Sequence, residues 1–182
     1  GTRGVGKTTV ARILAKCLNC DTGVTATPCG ECGACAEIVE GRSVDLIEVD
    51  AASKTKVEDT RELLENVQYT PTHARYKIYL IDEVHMLSQA AFNAFLKTLE
   101  EPPPHAVFIL ATTEKQKILP TILSRCQIFD FHRITVPDAV AHLKHIASQE
   151  GVDAEEEALH VIAQKADGAL RDALSMFDQL VA

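Results

Sequence analysis

The chain of 182 residues has no apolar run approaching the roughly 18–20 consecutive residues of a membrane-spanning helix, which argues against a helical membrane protein. Its start lacks the charged leader and apolar core of a secretory signal, so a cytoplasmic location with no membrane partner is expected. A basic excess is missing too. Lys and Arg number 18 against 26 Asp and Glu, for a net charge of −8 and a pI near 5.3. A chain of that sign does not coat nucleic acid through bulk positive charge, and any DNA contact must be a local patch. Also missing is a strand ahead of the opening motif, because Gly1 already belongs to that motif; the chain reads as a fragment. A hydrophobic content of 46% is enough for a sizeable core, in one domain or two small ones.

The opening "GTRGVGKT" fits G-x-x-x-x-G-K-[ST] over residues 1–8. In such a loop the glycines let the backbone N–H groups of Gly4, Val5, Gly6 and Lys7 turn inward around phosphate oxygens. Lys7 would reach the β- and γ-phosphates, and Thr8 would ligate Mg²⁺. Gly1 and Thr9 bound the nucleotide-contacting stretch, and the following helix would aim its positive dipole end at the phosphates. "TTVARILAKCL" carries the required helical periodicity, with Val10, Ile13, Leu14, Cys17 and Leu18 on one face. That spacing predicts Cys17 as a core residue.

Four further cysteines, Cys20, Cys29, Cys32 and Cys35, form C-x8-C-x2-C-x2-C in a stretch rich in Thr, Gly and Pro that cannot fill a core by itself. Disulfides do not suit a reducing cytosol, and a redox C-x-x-C has no need of two more thiols at this spacing. A four-thiolate zinc site answers the pattern best, with reduced, unmetallated thiols as the alternative. With all ligands from protein no coordination position stays open, so such a zinc would be structural.

"VDLIEVD" (residues 44–50) predicts a buried strand and "VEDTRELLENVQ" a helix. In "YKIYLIDEVH" an apolar strand delivers Asp82 and Glu83 to its carboxyl end, where open α/β sheets bind ligands. Asp82 would hold Mg²⁺ and Glu83 would orient and deprotonate the attacking water. Ser88 can cap a helix through Phe92, Phe95, Leu96 and Leu99, stopped by the prolines at 102–104. "AVFILATT" predicts another strand with Thr112 and Thr113 at its end, where a hydroxyl could sense the γ-phosphate or act as ordinary turn chemistry. "QIFDFH" predicts one more strand. Past Pro137 three segments carry helical spacing, a small helical domain starting near Ile134. The expected fold is α/β: a P-loop parallel sheet flanked by helices over 1–133, with a zinc-binding insert at about 19–41 and a helical lid over 134–182.

Taken together, "GTRGVGKT", "NCDTGVTATPCGECGAC", "DLIEVDAASKTKVEDTRELL", "YLIDEVHMLS", "LKTLEEPP", "LATT", "ILSRC" and "GALRDALS" resemble the gamma/tau subunits of bacterial DNA polymerase III, clamp-loader ATPases of the AAA+ superfamily. The resemblance implies ATP, Mg²⁺ and Zn²⁺ as cofactors. It makes Thr113 a nucleotide sensor, Arg125 an arginine finger acting on a neighbouring subunit's ATP, and Arg171 the sensor of the lid. It places Lys54, Lys56 and Arg61 against duplex phosphates. The partners implied are other clamp-loader subunits of delta and delta-prime type, a sliding clamp and primer-template DNA. Two parts of the family pattern, the adenine-binding segment before the P-loop and the assembling collar, are not in this sequence. His85 in "DEVH" also fits a DExH helicase, but no second set of helicase motifs follows. A non-hydrolysing ATP-binding zinc scaffold would need neither Glu83 nor Arg125. Cys126 and His85 receive no role from the sequence.

Overall fold

The computed structural model describes residues 1–53 and 57–181, apart from the side chains of residues 57–59 and 61. The chain divides into two compact units: Thr8–Ile128, and Gly1–Lys7 together with Phe129–Ala182. No helix among the described residues is long and apolar enough to cross a membrane.

The first unit is built on strands β1 (Leu46–Asp50), β2 (Lys77–Asp82) and β3 (Ala106–Leu110), all parallel, in the order β1-β2-β3. Parallel strands need crossovers that cover both faces of the sheet, so the middle strand must be apolar on both sides. That is why "IYLI" runs without alternation: residues 78–81 are all buried. Ile78 and Leu80 pack with Ala11, Ala15, Ile38 and Leu46. Ile81 lies on the other face with Phe92, Phe95, Ile118 and Ile122. Tyr79 stacks on Phe108 at 5.3 Å between ring centroids.

Helices α1 (Lys7–Asn19) and α2 (Gly33–Val39) contribute to the first of these cores. The other takes in Leu63 and Leu64 from α3 (Val57–Asn66), residues of α4 (Gln89–Glu100), and Ile122 and Leu123 from α5 (Pro120–Leu123). The Ser88 hydroxyl accepts from Ala91 N at 3.2 Å and so caps α4, which ends before the prolines.

Two expectations fail. The buried residues of α1 are Ala11, Ala15 and Asn19, whereas Val10, Ile13 and Leu14 are exposed and Cys17 is half-buried. Close approach of this helix to the sheet selects the small alanine row, one position along from the larger apolar stripe, so periodicity alone identified the wrong face. "QIFDFH" is not a strand: among the described residues the sheet has three strands, and residues 127–135 are irregular. A strand forms only where a neighbour completes its ladder.

The second unit is a three-helix bundle of α6 (Val136–Glu150), α7 (Glu156–Lys165) and α8 (Leu170–Val181). Its core comprises Val140, Leu143, Leu159, Ile162 and Phe177 with five alanines. Thr135 caps α6, Pro137 sits in its first turn, and Gly151 (φ 68°) closes it in the left-handed region.

One buried carboxylate fastens the sheet to the loop before β2. Asp45, 2% exposed, accepts from Thr72 N at 2.7 Å and from His73 N and Ala74 N at 2.9 Å. Burial alone would raise its pKa, but the three amides hold it below the ordinary carboxylate range. A depressed pKa means stability that is fully present above the unfolded value of about 3.9 and is lost as pH falls through the folded one. Asp45→Ala is expected to destabilise the first unit by about 1–3 kcal/mol at neutral pH, since it leaves three part-buried amides without their acceptor. Thermal melts at pH 7 and at pH 3 check this; the gap between variant and parent should narrow at the lower pH, and an equal melting temperature at pH 7 would contradict it.

Candidate nucleotide site and cysteine cluster

The loop 1–7 turns on two glycines in the left-handed region, Gly4 (φ 74°) and Gly6 (φ 88°). A Cβ on Gly4 would lie 3.1 Å from Ala169 Cβ and 3.5 Å from Arg171 Cβ, and Arg171 N donates to Gly4 O at 3.3 Å. The loop therefore abuts the start of α8, which sets Arg171 beside it. Lys7 Nζ donates to Thr2 O at 2.6 Å and to Gly1 O at 3.3 Å, folding the ammonium back over the loop carbonyls. Val5 is buried, while Gly6 and Thr9 are exposed.

In the first unit, Thr8 Oγ1 donates to Asp82 Oδ2 at 2.8 Å, joining residues 74 positions apart. The other carboxylate oxygen, Oδ1, accepts from Glu83 N at 2.9 Å. A hydroxyl and a carboxylate in contact offer the oxygen ligands that Mg²⁺ prefers. Glu83 holds φ 47°, a strained value for a non-glycine residue. Its Oε2 accepts from Thr113 Oγ1 at 2.9 Å and Thr113 N at 3.2 Å, and stands 3.3 Å from His85 Nδ1. Asp82, Glu83, Thr8 and Thr113 thus form one hydrogen-bonded group where β2 and β3 end.

The four cysteines are also brought together. Every Sγ of Cys20, Cys29, Cys32 and Cys35 lies within 4.8 Å of the others, and the Cys20 and Cys29 sulfurs are 3.6 Å apart. Four thiolates about 2.3 Å from a common tetrahedral centre would be about 3.8 Å apart, so the group fits a metal far better than the roughly 2.05 Å of a disulfide. The thiols are not equivalent. The Thr22 hydroxyl and the Cys29 and Thr22 amides pull Cys20 down to about 6, toward the thiolate that a metal requires. Burial pushes Cys35 up to about 12. Arg75 ties the start of the segment to the body through Leu18 O at 2.9 Å and Cys20 O at 3.3 Å.

Arg125 lies elsewhere on this unit, half exposed, donating to Glu100 Oε1 and Thr121 O, each at 2.7 Å. Lys54 and Lys56 lie outside the described residues, as does the side chain of Arg61. Sequence reasoning left His85 without a role and passed over Glu100 and Glu114. Their signal is only positional: His85 follows the acidic pair by one turn, and Glu114 follows the threonine pair.

Fold and site together define a P-loop protein of the AAA+ type. Residues 1–135 match the family model described as DNA polymerase III, delta subunit, and residues 138–182 match that of the DNA polymerase III clamp loader subunit, ATPase lid domain. The chain belongs to this family of DNA polymerase III clamp-loader subunits, and its whole-length similarity is to the tau and gamma members. It is 61% identical over 182 residues to DNA polymerase III subunit tau of Escherichia coli strain K12, covering 100% of this chain and 28% of that protein. It is 59% identical to DNA polymerase III subunit tau/gamma of Haemophilus influenzae, covering 100% and 26% respectively. The chain thus spans little more than a quarter of the length of these two relatives. The solved Thermotoga maritima RuvB Holliday junction branch migration motor shares the fold, with a TM-score of 0.67 at 21% identity over 98% of this chain and 51% of that one.

Removing one sulfur from the cluster, as in Cys32→Ser, is expected to lower the metal content of the purified protein and to destabilise the insert first. Elemental analysis with limited proteolysis around residues 20–35 reads both; full metal content in the variant would contradict the ligand assignment.

Proposed function

We propose that this chain is the ATP-hydrolysing portion of a clamp-loader motor subunit, which uses ATP to load a sliding clamp onto primed DNA during replication. The observation that carries the reading is the pairing of Thr8 with Asp82 beside Glu83 and Thr113, because a non-hydrolysing binder needs a phosphate cradle but no base. Residues 1–133 would form the ATPase domain and residues 134–182 the lid.

The backbone N–H groups of the loop, from Gly1 and Gly4 through Val5, Gly6, Lys7, Thr8 and Thr9, would bind the phosphates, and Lys7 would leave its loop carbonyls to reach the β- and γ-oxygens. Thr8 and Asp82 would hold Mg²⁺, which when bound offsets phosphate charge. Glu83 would take the proton of the attacking water, while Thr113 reports the γ-phosphate through the hydrogen bond it makes to the same carboxylate. Arg125 would be supplied to the ATP of an adjacent subunit, where a guanidinium stabilises charge developing on the phosphoryl group. Arg171 would read the nucleotide from the lid, a role supported by its place next to Gly4. Zinc on Cys20, Cys29, Cys32 and Cys35 would be structural, since four protein sulfurs leave no open position.

Lys54, Lys56 and Arg61 would track duplex phosphates, a contact that ignores base sequence and weakens steeply with salt. Delta- and delta-prime-type subunits, the clamp and primer-template DNA would be the partners, in the cytoplasm.

Lys7→Ala is expected to impair nucleotide binding, whereas Arg125→Ala should spare binding and lower turnover by roughly 10³-fold or more. Nucleotide titration and steady-state hydrolysis by the assembled complex, with clamp and primed DNA, separate the two; equal loss of binding in both variants would contradict this division of roles.

A further inference from the structure

The short 3-10 turn Val84–Met86 after β2 carries His85, whose side chain is 6% exposed. Its position is set from both sides of the ring. Nδ1 lies 2.9 Å from Thr112 Oγ1 and 3.3 Å from Glu83 Oε2, and Nε2 lies 3.3 Å from Glu114 Oε1. Thr112 Oγ1 also accepts from Glu114 N at 3.0 Å, and Lys117 Nζ donates to Glu114 Oε1 at 2.8 Å. The imidazole is therefore wedged between two carboxylates, one of them the proposed base and the other anchored by a lysine. Glu83 Oε2 accepts from Thr113 Oγ1 and Thr113 N, and the His85 ring packs beside the same oxygen with Nδ1 3.3 Å away.

We propose that His85 is a positioning residue for Glu83: hydrogen-bonded to Thr112 and flanked by Glu114, its buried ring buttresses the Oε2 that Thr113 also holds and so orients the carboxylate toward the attacking water. This rests on the reading of Glu83 as the base. His85 takes no proton and touches no phosphate in this scheme; the proton of the water goes to Glu83. The strained backbone of Glu83 supports the need for such a device, because a left-handed residue at the end of a strand is held only where its surroundings over-determine it. A general base contributes roughly 10²–10⁴-fold, and a misplacement of about 1 Å can cost about 10²-fold, so a loosened Glu83 retains only part of its effect.

The test is steady-state hydrolysis by the assembled complex, with clamp and primed DNA, for His85→Phe, His85→Asn and Glu83→Gln. His85→Phe keeps the ring volume without its nitrogens and is expected to lower kcat about 10- to 100-fold, with the KM for ATP and nucleotide binding within about twofold of the parent. His85→Asn puts an amide nitrogen near the place of Nδ1 and should recover most of that loss. Unchanged kcat in His85→Phe, a loss expressed in KM or binding, or no rescue by His85→Asn would each overturn the proposal. If His85→Phe does not assemble, Thr112→Val decides, since it removes the hydroxyl partner of Nδ1 and leaves the ring: a kcat-only loss supports the proposal, and parental kcat overturns it. Turnover retained by Glu83→Gln would remove the base reading itself. Turnover lost there but intact in His85→Phe would remove only the role of His85.

Discussion

The parallel ladder at the carboxyl end of β2 is the constraint on which the candidate site depends. Ile81 O accepts from Ala111 N at 2.8 Å, Asp82 O accepts from Ala51 N at 2.9 Å, and Ala111 O accepts from Val84 N at 3.0 Å. These bonds bracket Asp82 and Glu83 with the chain leaving β1 on one side and β3 on the other. Buried backbone groups must be paired, so neither flanking segment can move by a residue without stranding donors and acceptors inside the protein. With the ladder in place, the threonines after β3 have one place to go, and Thr113 falls on Glu83 while Thr112 falls on His85. The chemistry proposed for this site needs little more than that registration and a helix that brings Thr8 to Asp82.

Much of this is legible in the chain itself. The unbroken apolar run at 78–81 announces a strand buried on both faces, and the acids after it fall where an α/β sheet binds ligands. Ser88 and the prolines at 102–104 mark both ends of α4. The cysteine spacing, which no hydrophobic core requires, proves to gather four sulfurs. What periodicity could not give was α1, where the stripe of larger side chains and the row of alanines lie on adjacent faces and only the proximity of the sheet decides between them. "QIFDFH" has strand composition, but pairing is a property of neighbours and not of the segment. The link from His85 to Glu114 spans 29 positions, and local pattern carries no information at that separation.

The cysteine segment and the nucleotide site make different demands on the same body. The segment has few large apolar residues, so its order comes from sulfur geometry and from Arg75 reaching the Leu18 and Cys20 carbonyls. The nucleotide site instead relies on the packed sheet behind it and on short polar contacts ahead of it. This difference supports the structural task proposed above for a metal held by the four sulfurs.

The central claim is that base and finger for one ATP come from two different chains. The most direct measurement is ATP turnover, with clamp and primed DNA, by complexes assembled from a mixture of Glu83→Gln and Arg125→Ala chains. The account predicts that the mixture regains turnover that neither variant shows alone, because some interfaces pair an intact Glu83 with an intact Arg125 from the neighbour. A mixture no more active than the two variants measured separately would contradict it.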